Sequence, residues 1–211
     1  MLGYHNRYTA HGGILGNRIQ IESDLFVASK PVGNHHRNWT LATRLGDMLR
    51  RAEEQFGQRD NAYTILGVEF FGNNPMIWFP GNCKHVVVQL SADCLNDLPR
   101  ACYQLGHECI HLLAPTGKQD ANMLEEGLAT LYGENYATEW FNTPRDCGGR
   151  NYERAKRLTQ KALSTNPTFI REIRQCKPCF CDITPDDIIS KTSVTHAEAE
   201  LLCQPFSQNA V

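Results

Sequence analysis

His107-Glu108-Cys109-Ile110-His111 is the stretch that decides the reading of this chain. It has the form H-E-x-x-H and lies in a segment whose pattern predicts a helix. Histidines four residues apart fall on one helix face, about 6 Å from each other, close enough to share one metal ion. Glu108, beside the first histidine, then stands where it can take a proton from a metal-activated water. Read structurally instead, the two histidines would be ordinary residues of a helix face. A catalytic zinc needs three protein ligands and one open position, so a third ligand must be found elsewhere in the chain.

The segment after the motif supplies candidates. Asp97 and Pro99 predict the start of the motif helix, as cap and first-turn residues, and Pro115 predicts a stop near 113. Thr116 to Asp120 reads as a loop, and a second helix is predicted over 121–140. It opens Asn122-Met123-Leu124-Glu125-Glu126-Gly127-Leu128-Ala129. Met123, Leu124, Leu128 and Leu131 form its apolar face. Glu126 shares the other face with Asn122, Ala129, Thr130 and Gly133, which are small or polar and let the helix press close to the motif helix. Glu126 is therefore the preferred third ligand. Glu125 is the alternative, and otherwise reads as a solvated surface carboxylate.

On these residues the chain resembles the gluzincin branch of the zincin metallopeptidases. That group joins H-E-x-x-H on one helix to a glutamate on the next, often in a phrase such as E-E-G-x-A. Glu125-Glu126-Gly127-Leu128-Ala129 matches the phrase and aligns Glu126 with the ligand. Fourteen residues lie between His111 and Glu126, so the likeness is to a compact member, and it covers about 107–133. It implies a zincin-like α+β domain: a small, mostly antiparallel sheet, an active helix and a helical C-terminal half. It also implies a peptidase with one catalytic Zn2+ held by His107, His111 and Glu126, with Glu108 as base and then acid. The family places a sheet edge beside its active helix. Val86 to Leu90 would then be a buried core strand, an edge strand that pairs with an extended substrate, or both at once. The family further uses an oxyanion donor, for which Tyr132, Tyr136, Tyr152 and His196 are candidates.

The rest of the chain predicts the frame around this pair of helices. A helix over 39–56 follows from Trp39, Leu41, Leu45, Met48, Leu49, Ala52 and Phe56 at three- and four-residue spacing. Arg44, Asp47, Arg50, Arg51 and Glu54 take the opposite side, and Gly57 marks the stop. Strands are predicted at 63–71, 76–79 and 85–90, with Gly72-Asn73-Asn74-Pro75 as the first break. Another helix is predicted over 151–164, between Gly148-Gly149 and Asn166-Pro167, and short helices fill the tail from 168. Residues 1–37 contain two β-like runs, Ile19-Gln20-Ile21 and Leu25-Phe26-Val27, and read as an extension of one domain spanning 1–211. His35 and His36 read as solvated loop residues.

Composition narrows the partners. A formal charge of −2 without a dense Lys/Arg stripe predicts neither nucleic acid nor an anionic membrane as partner, and leaves a peptide or protein substrate. No apolar run approaches the ~20 residues of a membrane span. The N-terminal residues lack the apolar core of a secretory signal. The expected location is therefore cytoplasmic, and the nine cysteines are expected to be reduced. Cys176, Cys179 and Cys181 form a C-x-x-C-x-C cluster. Free thiols are expected there, with a second, structural Zn2+ as one alternative, completed by Cys203 or Cys147, and a local disulfide as another if the protein is exported. Two rival functions stay open: a catalytically silent zincin-fold binding or regulatory domain, and a zinc hydrolase of a non-peptide amide.

Overall fold

The computed structural model describes residues 40–81, 84–118, 121–142 and 149–207. The runs at 19–21 and 25–27, the histidines 35 and 36, and Cys83 and Cys147 lie outside these. Helix α1, Leu41–Phe56, starts at a reciprocal cap in which Thr40 and Thr43 satisfy each other's backbone N–H groups. It ends at Gly57, whose positive φ of 98° favours glycine. Leu41, Leu45, Met48, Ala52 and Phe56 face the core, as the spacing predicts. Arg44 departs from the prediction, because it is fully buried rather than solvated. Its guanidinium lies 4.8 Å from the ring centre of Trp140 and donates to the Tyr136 hydroxyl at 3.3 Å, so aromatic faces replace water around the charge.

Strands β1 (Thr64–Phe70), β2 (Met76–Trp78) and β3 (His85–Leu90) form a sheet of order β1-β3-β2. β1 and β3 run parallel, while β2 pairs antiparallel with β3 over Val87 to Gln89. The sheet is thus mixed, and most of its pairing is parallel, against the expectation of a mostly antiparallel sheet. β3 is the central strand, not an edge, so it has no free side along Val87–Gln89 for a substrate. Burial explains the order. Val86, Val88 and Leu90 are wholly buried and Val87 and Gln89 nearly so, and a strand covered on both faces takes the centre. The half-exposed β2 is left at the edge.

Helix α2, Leu98–His111, begins where Asp97 accepts the Arg100 N–H at 3.0 Å, with Pro99 in its first turn. Helix α3, Met123–Phe141, begins where Asn122 accepts the Glu125 N–H at 2.9 Å. Helices α4 (Arg150–Thr165), α5 (Phe169–Arg174), α6 (Pro185–Lys191) and α7 (His196–Cys203) complete the C-terminal half. A continuous apolar cluster runs from Leu41 to Leu202 through both halves. Among the described residues no helix is long and apolar enough to cross a membrane.

Glycines set the spacing of α2, α3 and α4. A Cβ on Gly106 would stand 3.0 Å from Gly133 Cα, and one on Gly133 would stand 2.6 Å from the Tyr103 carbonyl oxygen. A Cβ on Gly127 would meet Thr159 Oγ1 and the Ala155 carbonyl of α4. Gly46 of α1, in contrast, has nothing within 4 Å of an added Cβ. Gly127→Ala is expected to destabilise the fold by about 2 kcal/mol, overpacking outweighing better helix propensity. Gly46→Ala is expected to stabilise it by up to about 1 kcal/mol. Denaturant unfolding of both variants checks this; a stabilised Gly127→Ala would refute the close α3–α4 contact.

The structure corrects one cysteine expectation. Cys179 and Cys181 are joined as a disulfide rather than standing as free thiols. The short turn at Phe180–Asp182 brings their Cα atoms to 5.3 Å, within bridging range. Cys176 is an exposed free thiol and Cys203 a half-buried one. Cys102 and Cys109 are buried free thiols in α2, and burial pushes the Cys102 thiol up to about 12. Such thiols are inert packing groups.

Candidate metal centre

α2 and α3 cross closely enough to bring three predicted side chains to one point. His107 and His111 project from the last turns of α2, and Glu126 from the first turn of α3. Their ligand atoms all lie within 4.8 Å of one another. His107 Nε2 is 3.3 Å from His111 Nε2 and 3.3 Å from Glu126 Oε2, and His111 Nε2 is 3.7 Å from Glu126 Oε1. A tetrahedral ion with bonds of about 2.0–2.1 Å separates its ligand atoms by roughly 3.3–3.4 Å. That is the spacing of the two histidine nitrogens and of His107 Nε2 from Glu126 Oε2, while His111 faces the other Glu126 oxygen at a slightly longer distance. Glu126 Oε2 is buried and lacks a partner in hydrogen-bonding geometry. Its 3.3 Å contact with His107 Nε2 is an ion-pair contact rather than a well-aligned hydrogen bond, so a cation between the two groups would satisfy the oxygen better.

Glu125 does not reach this triangle, and it is not a solvated carboxylate. It is buried, and its Oε1 accepts the His111 Nδ1–H at 2.8 Å. That bond fixes the tautomer that presents Nε2 to the centre, the role carboxylates play behind metal-bound histidines. The adjacent pair Glu125-Glu126 thus divides its work by helix angle, one side chain orienting a histidine and the next facing the centre.

The electrostatics are those of an anionic, buried cluster. Glu108 is 4% exposed. Burial raises its pKa, and the neighbouring Glu126 and Glu125 push the same way, while His111 and His107 oppose. Burial alone would lower the pKa of His111, but the hydrogen bond to Glu125 and the charges of Glu126, Glu125 and Glu108 outweigh it and raise it to about 10. Burial would raise Glu126, yet its contact with His107 and the charges of both histidines hold it below the usual carboxylate range. Three carboxylates around two imidazoles leave an excess of negative charge that a divalent cation would balance.

The oxyanion candidates separate cleanly. The Tyr132 hydroxyl donates to the Met48 carbonyl at 2.6 Å, and Tyr136 accepts from Arg44. His196 pairs with Glu200 on the exposed face of α7. Tyr152, in the first turn of α4, has its ring centre 6.1 Å from that of His107 and 4.7 Å from that of Phe206. Tyr103, which sequence reasoning passed over, lies 6.4 Å from His107. Its signal was present, since it precedes His107 by four residues on the same helix face. Comparison with protein-family models, curated proteins and solved structures finds no match to this chain.

Proposed function

We propose that the chain is a zinc-dependent peptidase of the compact gluzincin kind. The observation that carries this reading is the convergence of His107 Nε2, His111 Nε2 and the Glu126 carboxylate, within 4.8 Å of one another, beside a buried Glu108. The two-histidine, one-carboxylate set suits zinc and leaves a fourth position open. Bound there, zinc would supply the Lewis acidity that activates water and polarises a peptide carbonyl. The remaining work falls to the chain. Glu108 takes the proton of the attacking water as the carbon–oxygen bond forms, then gives it to the leaving nitrogen as the carbon–nitrogen bond breaks. Glu125 keeps His111 in its tautomer. Tyr152, whose ring lies beside His107 while the Tyr132 hydroxyl is bonded to the Met48 carbonyl and Tyr136 to Arg44, is assigned the oxyanion.

A peptide library incubated with the protein tests this, with a zinc chelator as control. Cleavage that the chelator stops and added zinc restores is expected. Zinc bound without cleavage would favour a silent binding domain, and cleavage of small amides alone would favour the non-peptide hydrolase. Tyr152→Phe is expected to lower kcat by about 10²-fold with KM and zinc content unchanged. An unchanged kcat would remove Tyr152 from the reaction.

A further inference from the structure

The Cys179–Cys181 disulfide encloses Phe180, and Phe180 is tied to the candidate metal centre by consecutive hydrogen bonds. Phe180 is wholly buried, under the Arg174 guanidinium at 4.9 Å from its ring centre. Its carbonyl accepts the Asn122 Nδ2–H at 2.9 Å. Asn122 Oδ1 accepts the Glu125 N–H at 2.9 Å, and the Asn122 carbonyl accepts the Glu126 N–H at 3.1 Å. Glu125 Oε1 in turn holds His111 Nδ1. Asn122 is 4% exposed, so water does not readily replace a lost partner there. The sulfur end of this chain of contacts is open to solvent, with Cys181 exposed and Cys179 half-buried.

We propose that the Cys179–Cys181 pair is a reversible redox site whose state sets the metal affinity of the His107–His111–Glu126 centre. The inference rests on the metal reading above. The reductant is a dithiol. One of its thiolates attacks a sulfur of the pair to form a mixed disulfide, and its second thiol resolves this. Two electrons and two protons pass to the protein, leaving two cysteine thiols and an oxidised reductant. Reduction removes the crosslink on both sides of Phe180 and widens the backbone freedom of that residue. The Phe180 carbonyl then holds Asn122 less firmly, the first turn of α3 loosens, and Glu125 and Glu126 lose their fixed aim. Linkage makes the effect reciprocal, so bound metal favours the disulfide.

The test measures zinc affinity by chelator competition in a Cys176→Ser background, which removes exchange with the neighbouring thiol. The oxidised protein is compared with a Cys179→Ser/Cys181→Ser form, because reduced Cys179 and Cys181, with Asp182, have atoms close enough to bind zinc themselves. Backbone amide exchange at Glu125 and Glu126 is followed without metal, in oxidised and dithiol-reduced protein. The disulfide form is expected to bind zinc on the order of 10-fold more tightly, with slower exchange at both amides. Asn122→Ser, which keeps the helix cap but loses the donor to Phe180, is expected to erase the difference. Equal affinity and equal exchange would overturn the redox link and leave the metal centre intact. No zinc in either form, with exchange still following the redox state, would overturn the metal centre instead.

Discussion

Replacing Glu108 with glutamine is expected to lower kcat by about 10²–10⁴-fold while zinc content and fold stay as they were. The side chain keeps its size and loses only its proton-accepting oxygen. None of the three atoms facing the metal position belongs to Glu108, so metal binding has no reason to fall. Stability should hold or rise slightly, because a carboxylate buried among Glu125 and Glu126 is replaced by a neutral amide. Steady-state kinetics on a cleaved peptide, beside metal analysis of the same sample, give the split. A variant with near-normal turnover would take Glu108 out of the mechanism. A variant that loses its zinc would make Glu108 part of the ligand set.

Arg174→Met is expected to produce the largest loss of stability, about 3–5 kcal/mol. The guanidinium donates to five carbonyl groups: Pro178 at 2.9 Å, Phe56 at 2.8 Å, Gly57 at 2.9 Å, Gln58 at 3.1 Å and Leu113 at 3.2 Å. Four of these oxygens, those of Phe56, Gly57, Gln58 and Leu113, lie at or just past the ends of α1 and α2, where helix carbonyls lack internal partners and the dipole is negative. Burial lowers the pKa of Arg174 to about 10, with Glu125 and Glu53 opposing, so it stays charged at neutral pH. Methionine fills similar space and satisfies none of the five. The corresponding fall in Tm is about 10 °C for a chain of this size. Arg174→Lys, with a single ammonium, should recover part of the loss. A Tm within 2 °C of the wild type in Arg174→Met would show that water serves these carbonyls equally well.

Helix-face periodicity made the site legible before any coordinates. The four-residue step from His107 to His111, and the small residues on the Glu126 face, were enough to select three residues that the fold brings together. Gly133 does press against α2, as its place on that face implied. What stayed hidden was set by distant partners. Strand order depends on which run is covered on both faces, and alternation within β3 does not report what lies on either side of it. Arg44 looks like a solvated residue until Trp140 and Phe141 come round to cover it. Glu125 looks like surface until α2 places His111 Nδ1 against it. The cluster's spacing allows a local disulfide, but which two of its cysteines pair depends on a turn at Phe180 that the spacing does not fix.

The central claim is that His107, His111 and Glu126 hold one divalent ion. Metal content by mass spectrometry, on protein purified without chelators, tests it most directly, with His107→Ala, Glu126→Ala and Glu125→Ala alongside. One zinc per chain is expected in the wild type and next to none in His107→Ala or Glu126→Ala. Glu125→Ala should retain zinc with affinity weakened about 10–100-fold. No zinc in the wild type, even after reconstitution, or zinc that survives loss of His107, would contradict the account.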